Sequence, residues 1–410
     1  MIPIPVSVVV VSRDRPDALL RCLTGLAQLQ YVPFEIVIVA DEPGCATVAA
    51  SPFAGQVKVA PFDCPNISEA RNLGVSHAAG EVVAFIDDDA VPEPSWLTHL
   101  IAPFQHAEVG AAGGFVRGRN GISFQWKARS VDEAGAAEPL AVHPGQATVL
   151  TPKGHRATKT EGTNMAVRRD VLLELEGFDP GFAFFLDETD LNLRLARAGH
   201  ATAIVPLAEV HHGFAPSSRR RADRVPRDLF DIGASWAVFQ CKYVSESKRD
   251  SHWRAIRASE RVRIIYHMVA GRLLPGDVVR LLRRLDVGYA EGLVRQRGGA
   301  HLLRSAAAPF TPFPAVKRKS TVVSGRIWQR SRLRAEAAKR VWAGEIVTLI
   351  LLSPTALFHC VRFHPDGYWE QIGGLFGRSD RTDRLIAFYS FATRIARESR
   401  RVADQRLIMG

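Results

Sequence analysis

The sequence predicts an α/β fold with a mainly parallel sheet flanked by helices, and two observations support this. Continuous apolar runs such as residues 6–11 (VSVVVV) and 34–40 (FEIVIVA) are typical of strands that are covered on both faces. Segments with helical spacing separate the runs, as where Pro16 opens a stretch in which Leu19 and Leu23 recur one turn apart. Strands that alternate with helices favour crossover connections and hence a parallel sheet.

The remaining elements follow in chain order. We predict strands at 57–60, 81–86 and 201–206, and helices at 66–80, 96–104 and 187–200. Between 105 and 160 the pattern weakens, which favours loops and a few short strands. Basic helical patterns at 254–273, 277–296 and 328–343 dominate the rest. The prediction is a mainly parallel α/β domain at 1–240 and a mostly α-helical, basic C-terminal region at 241–410.

The charge is unevenly distributed along the 410 residues. The formal net charge is +11, whereas residues 216–340 alone carry 28 Lys and Arg against 10 Asp and Glu. Basic regions favour phosphates, anionic lipid surfaces or nucleic acid. The aromatic content of 8% and the lack of a recognised binding motif argue against nucleic acid. The five cysteines form no CxxC pair, which indicates a reducing cytoplasm rather than a zinc site or a disulfide framework.

Two apolar stretches bear on membrane association. The first residues, MIPIPVSVVVVSRDRP, lack a basic n-region, so we predict a strand and not a signal peptide. Residues 346–361 are uncharged, but they are shorter than the roughly 20 residues of a span, and Pro354 interrupts them. We predict a buried or interfacial helix there. Together with the basic helices it favours a peripheral position on an anionic inner membrane surface, the alternative being a helical domain with a charged outer face.

Three aspartates, Asp87, Asp88 and Asp89, end the apolar strand at 81–86. Adjacent carboxylates repel one another, and burial raises that cost, so their position indicates that a cation binds there. Carboxylate oxygens suit Mg²⁺ or Mn²⁺. Asp41 also follows a strand, and ligands of such sheets bind beyond the carboxyl ends of the strands. The alternative is an acidic turn that faces solvent.

Four segments in order carry a resemblance to a known family. They are VSVVVVSRDRPDALLRCLTGL, ARNLGVSHAAGEVVAFIDDDAVPEPSWL, GTNMAVRRDVLLELEGFD and DETDLNLRLARAGH. As an ordered set over roughly residues 5–215, they resemble the inverting family-2 glycosyltransferases of the GT-A fold. The resemblance implies metal-dependent transfer of a sugar from a nucleoside diphosphate, with UDP- or dTDP-sugars favoured, to a hydroxyl of a glycan or lipid-linked acceptor. Surface polysaccharide or glycoconjugate synthesis is the implied role.

The resemblance also implies a donor and metal site. Asp87 and Asp89 take the first and third positions of a D-x-D motif, where Asp89 binds the metal and Asp87 binds the ribose or the metal. Asp88 orients them. A histidine after the last strand is the third metal ligand, either His211 or His212, and we favour His211. The alternative for these histidines is a surface pair at the edge of a strand.

Two further residues are expected beside the nucleotide. In the family two acidic residues usually follow strand two, and the second one hydrogen-bonds the base of the nucleotide. Asp41 takes this second position, whereas Ala40 replaces the first acid. Arg71, in EARNLG, is expected to pair with the diphosphate or with an aspartate. The alternative for Asp41 is a turn residue at the end of a strand. The alternative for Arg71 is a salt bridge on the helix surface.

The DETD segment is expected to supply the general base. Inverting transfer needs a carboxylate that deprotonates the acceptor hydroxyl. By position Glu188 is this base and Asp187 the second choice, while Asp190 is expected to pair with Arg194 four residues on or to cap the helix. The alternative is that all three acids only complement the positive N-terminal end of the helix dipole and have no catalytic role.

The acceptor side is less defined. Asn164, in GTNMAV, is expected to line it, with pure packing as the alternative. Residues 217–227 (SSRRRADRVPR) form either a loop that closes over the diphosphate or a solvated linker. The competing function is a nucleotidyltransferase that acts on a sugar phosphate, which also joins a metal carboxylate site to a nucleotide fold. That enzyme releases pyrophosphate, whereas a glycosyltransferase releases a nucleoside diphosphate.

Overall fold

The computed structural model describes residues 3–213, 215–300 and 302–408. The strands are β1 (Val6–Ser12), β2 (Phe34–Ala40), β3 (Lys58–Pro61), β4 (Val82–Asp87), β5 (Ala90–Pro92), β6 (Val109–Arg117), β7 (Phe124–Trp126), β8 (Arg129–Asp132), β9 (Ala137–Pro139), β10 (Thr148–Leu150), β11 (Arg156–Lys159), β12 (Met165–Arg168), β13 (Ala201–His212), β14 (Ser320–Arg326), β15 (Ile346–Ser353), β16 (Cys360–Phe363) and β17 (Trp369–Gly374).

The α-helices are α1 (Pro16–Leu26), α2 (Glu42–Ala49), α3 (Ile67–His77), α4 (Trp96–Ile101), α5 (Arg169–Glu174), α6 (Asp187–Arg197), α7 (Phe230–Tyr243), α8 (Glu246–Val269), α9 (Pro275–Gly292), α10 (Arg330–Trp342), α11 (Phe391–Arg401) and α12 (Ala403–Arg406). Short 3-10 helices cover Ala102–Gln105 and Ile327–Gln329.

The largest sheet has the order β10-β13-β6-β12-β4-β1-β2-β3, with β5 paired to β13 and β7 to β6. Strands β4, β1, β2 and β3 run parallel, and β13 is parallel to β6, whereas β12 enters antiparallel between β4 and β6. The predicted mainly parallel α/β sheet is confirmed.

The pairing of β1 with β4 positions the candidate site. Both strands are almost wholly buried, as their apolar runs predict. Their parallel register places Val11 opposite Asp87, so that the carboxyl ends of the two strands meet at one edge of the sheet. Helix α1 covers this region and buries Leu19 and Leu23 completely, each worth roughly 1.5–3 kcal/mol of transfer free energy.

The weakly patterned residues 105–160 supply a small antiparallel sheet of order β11-β8-β9. The chain just after β11 is tied to α6, because the Thr160 hydroxyl donates to Asn192 Oδ1 at 2.8 Å and the Asn192 amide donates to the Thr160 carbonyl oxygen at 3.0 Å. These contacts place β11 beside the start of the DETD helix.

Helices α7, α8, α9 and α10 confirm that a helical C-terminal region is present. Helices α7 and α9 approach closely through glycines. A Cβ on Gly288 would lie 1.9 Å from the Phe230 carbonyl oxygen, and one on Gly233 would lie 2.1 Å from the Leu285 carbonyl oxygen. The predicted boundary at 240/241 falls inside α7, and the division into two domains stays a prediction.

The helix predicted at 346–361 is wrong. Ile346–Ser353 is strand β15, which is central in a four-stranded sheet of order β14-β15-β17-β16. It lies between two parallel neighbours, and its residues from Ile346 to Leu352 are buried. A strand covered on both faces is apolar throughout, so a short run of this kind does not distinguish a strand from a buried helix. None of the helices in the described ranges is long and apolar enough to cross a membrane.

Candidate active site

A cavity of about 530 Å³ opens at the carboxyl ends of β1 and β4. Its volume lies within the usual range for small-molecule sites. The polar lining includes Asp87, Asp88, Asp89, Arg71, Asp187, Glu188, Lys159 and His212. Aromatic side chains of Trp126, Phe184, Phe185 and Trp236 form other parts of the wall. The structure therefore brings most of the sequence-predicted site residues into one space.

Asp88 is the buried member of the three aspartates. It accepts hydrogen bonds from the Ser12 hydroxyl at 2.8 Å, and Arg15 Nη2 lies 3.1 Å from its Oδ1. Burial raises the pKa of Asp88 to about 7, although the Arg15 charge opposes this rise. Its contacts hold the end of β4 in place, and its role in orienting the neighbouring aspartates stays a prediction.

Asp87 and Asp89 face a histidine across the cavity edge. His212 Nε2 lies 3.1 Å from Asp89 Oδ1 and 3.8 Å from Asp87 Oδ2. Burial opposes ionisation of Asp89, yet the hydrogen bond from His212 and the charges of His212 and Arg15 hold its pKa well below the usual value. The ligand atoms of the three residues lie within 4.8 Å of one another, which suits a single metal ion.

The tautomer of His212 supports a cation at this position. Gln125 Oε1 lies 3.0 Å from His212 Nδ1, and an amide oxygen only accepts, so Nδ1 carries the proton. The Nε2 lone pair of a neutral ring then points at carboxylate oxygens. A second proton or a metal ion is therefore required between Nε2 and these oxygens. A metal-bound histidine usually donates a hydrogen bond from its other ring nitrogen, as Nδ1 does here to Gln125.

The structure corrects the choice of His211. Neighbouring residues of a strand point to opposite faces, so only one of the pair reaches the aspartates. His211 Nε2 bonds Glu93 Oε1 at 2.8 Å, and its ring lies 4.6 Å from that of Trp369. A second acid–histidine group therefore forms with Glu93 and Glu209.

This second group is an ion-pair network and not a metal centre. Its carboxylates already have cationic partners, because Arg406 pairs with Glu93 and Arg117 pairs with Glu209. Both arginines are buried along with the acids. A divalent ion would add further positive charge to a group whose charges are already matched.

Arg71 connects the two acidic parts of the cavity. Its Nη1 pairs with Asp187, and its Nη2 lies 3.5 Å from Asp87 Oδ1. The side chain comes from α3, whose first turn is fixed because the Asn66 side chain accepts from the Glu69 N–H at 3.2 Å. Of the two partners expected for Arg71, the structure shows the aspartate.

The pKa values of Asp187 and Glu188 are shifted in opposite directions although the two residues are adjacent. Burial raises the pKa of Asp187 to about 7, against the opposing charge of Arg71. Burial also acts on Glu188, but Lys159 Nζ lies 3.1 Å from its Oε1 and lowers the pKa to about 2. Environments that push two carboxyls apart in this way are typical of acid–base sites.

The turn that precedes these acids has an unusual backbone. Phe185 and Leu186 both adopt positive φ angles, 74° and 67°, directly before α6 begins at Asp187. Non-glycine residues in this region cost about 1 kcal/mol or more each and are concentrated at functional sites. The strained turn sets the direction in which the first acids of α6 point.

Asp190 lies outside the cavity lining. As predicted, it pairs with Arg194 at 2.7 Å, and it also meets Lys242 Nζ at 2.6 Å and the Tyr243 hydroxyl at 2.7 Å. These contacts tie α6 to α7.

The structure corrects the placement of Asn164. Its side chain is fully buried, accepts from Trp96 Nε1 at 2.8 Å and donates to the carbonyl oxygens of Phe115 and Ala208 at 3.0 and 2.8 Å. All of its polar capacity is used inside the protein, so it does not face an acceptor. Thr163, its neighbour along the chain, lines the cavity instead.

Asp41 has structural partners. Its carboxylate accepts from the Gly44 N–H at 3.0 Å, which caps α2, and from the Asp14 N–H at 2.7 Å. It is buried and does not line the cavity. A contact between Asp41 and a nucleotide base stays a prediction.

Sequence reasoning missed Arg15 and Lys159. Arg15 had a usable signal, since it follows the carboxyl end of β1 in the segment SRDRP. Lys159 had none, because β11 belongs to a short antiparallel sheet with no clear apolar pattern. Gln125, which fixes the His212 tautomer, was missed for the same reason.

A model of the family described as Glycosyltransferase like family 2 matches residues 3–229. Because this match covers more than half of the sequence, the chain belongs to that family. The resemblance drawn from the four motifs and the GT-A fold class are confirmed.

Two curated relatives illustrate the similarity. The O-antigen biosynthesis protein RfbC of Myxococcus xanthus is 30% identical over 259 residues, which are 57% of this chain and 19% of that protein. The glucosyl-dolichyl phosphate glucuronosyltransferase of Haloferax volcanii is 28% identical over 194 residues, 42% of this chain and 56% of that protein. The chain thus spans about a fifth and about half of the length of these two relatives.

Two solved structures are similar to part of this chain at low identity and low TM-score. GalNAc-T7 with UDP, GalNAc and Mn²⁺ has a TM-score of 0.43 and 18% identity, covering 61% of this chain and 55% of that chain. The mannosyltransferase PcManGT of Pyrobaculum calidifontis, in complex with GDP-Man and Mn²⁺, has a TM-score of 0.43 and 16% identity. The similarity covers 70% of this chain and 87% of that chain.

Proposed function

We propose that this protein is a metal-dependent inverting glycosyltransferase that moves a sugar from a nucleoside diphosphate to an acceptor hydroxyl. One observation carries the proposal. A carboxylate–histidine group suited to a metal ion and an ionised carboxylate suited to a base line the same cavity, and Arg71 joins them.

Asp87, Asp89 and His212 would hold the metal, Mg²⁺ or Mn²⁺. Such an ion neutralises charge on a departing diphosphate. Arg15 adds a guanidinium 3.4 Å from Asp89 Oδ2, and Arg220 adds another at 3.8 Å. These cations would orient the anionic leaving group.

Glu188 is the proposed base. The acceptor oxygen attacks the anomeric carbon, the bond from that carbon to the diphosphate oxygen breaks, and the hydroxyl proton passes to Glu188. Displacement in line with the leaving group inverts the configuration. Lys159 keeps Glu188 ionised, and Arg71 holds Asp187 beside it.

The donor and acceptor classes are further parts of the proposal. UDP- or dTDP-sugars stay the favoured donors, and a glycan or lipid-linked hydroxyl the acceptor, in surface polysaccharide or glycoconjugate synthesis. The names of the two curated relatives, an O-antigen biosynthesis protein and a glucosyl-dolichyl phosphate glucuronosyltransferase, support such an acceptor.

A cytoplasmic location, peripheral on an anionic membrane surface, belongs to the same proposal. Failure to co-sediment with anionic vesicles at low salt would reject the membrane part.

The test begins with thermal stabilisation by UDP, TDP, GDP and CDP, each with and without Mn²⁺ or Mg²⁺. A ligand that binds only the native state raises its stability by mass action. We expect a metal-dependent shift with one nucleotide in the wild type and in the control Glu42→Gln, an exposed acid on α2. Asp89→Ala is expected to lose the shift. No shift with any pair in the wild type would contradict the proposed donor site.

Turnover then separates the two candidate functions. A glycosyltransferase releases the nucleoside diphosphate from the sugar nucleotide whose nucleotide gave the thermal shift. A nucleotidyltransferase instead releases pyrophosphate when it is given a nucleoside triphosphate and a sugar phosphate. Glu188→Gln is expected to keep nucleotide binding and to lose transfer by about 10²-fold or more. Normal transfer by Glu188→Gln would show that another group is the base.

A further inference from the structure

Phe185 is a large apolar residue that the fold exposes beside the proposed base. Its exposed fraction is 38%, whereas Phe182 and Leu186 in the same segment are buried. Phe185 precedes Glu188 by one helical turn of chain, and both residues line the larger cavity. The ring of Phe185 is therefore available to a molecule that occupies this cavity.

The backbone at Phe185 is unfavourable for a phenylalanine. Its φ angle is 74°, in the left-handed region that glycine adopts without steric cost. The phenylalanine therefore lowers stability at this position, and the exposure of its ring shows that little core packing offsets the loss. Side chains held in strained turns of this kind are concentrated at functional sites. A role in binding accounts for the ring where a role in folding does not.

Hydrogen bonds to two helices fix the turn that carries Phe185. The Ala183 carbonyl oxygen accepts from the Ile67 N–H of α3 at 2.9 Å. The Phe184 carbonyl oxygen accepts from the Ser235 hydroxyl of α7 at 2.6 Å. Because both bonds precede Phe185 directly, they hold its backbone in place and set the direction of its ring.

Trp236, from α7, forms an aromatic corner with Phe185 in the wall of the cavity. The centres of the two rings lie 6.0 Å apart at an interplanar angle of 68°. Trp236 also packs edge to face against Phe239 at 5.6 Å and His252 at 5.8 Å, so its position is fixed. A Cβ on Gly135 would lie 2.7 Å from Trp236 Cη2, which shows how closely the backbone of a neighbouring loop approaches the indole.

An aromatic corner beside a carboxylate base fits a sugar ring. A pyranose carries C–H groups on its faces and hydroxyls around its edge. The C–H groups pack on the electron-rich faces of aromatic rings, and the hydroxyls at the edge stay free to meet a carboxylate. Another aromatic residue of the cavity, Trp126, stacks instead on the proposed metal ligand His212 at 5.9 Å. The aromatic corner therefore belongs to the side of the base, where the acceptor binds.

We propose that Phe185 and Trp236 bind a sugar ring of the acceptor and present one of its hydroxyls to Glu188. The acceptor is then a saccharide, or a molecule that ends in one, and not an alcohol without a sugar. The inference rests on the proposed glycosyl transfer and adds the residues that select its acceptor.

Binding to an array of defined glycans tests this inference without an assay of transfer. The full chain is applied in buffer with Mn²⁺, with and without the nucleoside diphosphate that stabilises it. We expect at least one glycan that ends in a pyranose to bind, and that glycan is then titrated in solution. No bound glycan in either condition, or equally tight binding of farnesyl phosphate, which has no sugar, would overturn the inference.

Variants of Phe185 separate binding from stability. Phe185→Gly removes the ring and relieves the strained backbone, so we expect an unchanged or higher melting temperature together with about tenfold weaker glycan binding or more. Phe185→Leu keeps an apolar side chain without a ring face and is expected to bind as weakly, whereas Phe185→Tyr is expected to bind nearly as the wild type does. The control is Phe388→Ala, because Phe388 is 86% exposed outside the cavity lining. Glycan binding by Phe185→Gly and Phe185→Leu that equals the control would overturn the inference.

Trp236→Leu tests the other ring of the corner, and we expect a similar loss of glycan affinity. Metal-dependent stabilisation by the nucleoside diphosphate reports on the donor site and shows that this variant is folded. A folded Trp236→Leu that binds the glycan as the wild type does would remove Trp236 from the proposed corner.

The same samples separate this inference from the proposed function. A donor shift in the wild type without glycan binding would leave the transferase proposal in place and reject only the aromatic corner. Loss of the donor shift in the wild type would reject the transferase proposal itself.

Discussion

The guanidinium of Arg406 and the carboxylate of Glu93 form a two-point contact inside the protein, with Nε–Oε2 and Nη2–Oε1 distances of 2.9 Å. Both side chains are almost fully buried, and the Arg406 guanidinium also lies 4.4 Å from the Trp369 ring centre. Glu93 in turn bonds His211, the neighbour of the proposed metal ligand His212. Helix α12 is therefore linked through Glu93 to the end of β13 that carries His212, although Arg406 and Glu93 are more than 300 residues apart in sequence.

Arg406→Met is expected to destabilise the protein by about 3–5 kcal/mol, because it leaves the Glu93 carboxylate buried without its cation. Urea unfolding measures the change, with the exposed Arg400→Met as the control. The double variant Arg406→Met/Glu93→Gln removes the unpaired charge and is expected to recover part of the loss. Equal stability of Arg406→Met and Arg400→Met would show that the pair contributes little.

His212→Ala is expected to reduce Mn²⁺ affinity by about tenfold or more, because it removes one of three protein ligands. His211→Ala keeps the aspartates and His212, so its main effect is on stability through Glu93. Titration of Mn²⁺ in the presence of the nucleotide that stabilises the wild type compares the two variants. A larger loss of Mn²⁺ affinity for His211→Ala would restore the choice made from the sequence.

The close contact of α7 and α9 depends on glycine. Gly288→Ala would place a Cβ 1.9 Å from the Phe230 carbonyl oxygen, so the helices have to separate, and we expect a loss of about 1–3 kcal/mol. Gly276 is a matched control on the same helix, since its added Cβ meets nothing within 4 Å. Gly276→Ala is expected to be neutral or to stabilise by up to about 1 kcal/mol. Similar unfolding midpoints for the two variants would contradict this packing.

The sequence alone was sufficient where one local pattern determined the outcome. The apolar runs of β1, β2 and β4 located the central sheet, and the end of β4 located Asp87 and Asp89. It was insufficient where the outcome depended on distant partners. The helix predicted at 346–361 failed because β15 is covered on both faces by side chains of other elements and is therefore apolar throughout.

The two side-chain corrections have a similar cause. The choice between His211 and His212 depends on which face of β13 points towards the aspartates at the end of β4, and a sequence without its partner strands does not determine that face. The burial of Asn164 depends on Trp96 and on two carbonyl groups from other strands. Lys159 reaches Glu188 only because β11 lies beside α6, a contact that no local pattern indicates.

The ion pair of Lys159 with Glu188 predicts a change in pH dependence. Burial raises the pKa of Glu188 and Lys159 lowers it, with a net value of about 2. Lys159→Met removes the lowering charge and keeps the burial, so the pKa of Glu188 rises and the base becomes protonated at a higher pH. The acid limb of kcat/KM that belongs to Glu188 therefore lies below pH 4 in the wild type and is expected to move upward by about two pH units or more, into the range above pH 4.

The measurement is nucleoside diphosphate release from pH 4 to 9 for the wild type, Lys159→Met and the exposed control Lys153→Met. A limb from Asp187, whose pKa is about 7, is expected in all three proteins. The informative quantity is a second, steeper loss of activity between pH 4 and 7, which is expected only in Lys159→Met. The pair also affects stability with a defined sign. Because the folded pKa of Glu188 is depressed, its contribution is complete above the unfolded value of about 4.3 and is lost as the pH falls towards 2. A Lys159→Met profile that coincides with that of Lys153→Met would show that Glu188 does not titrate as the base.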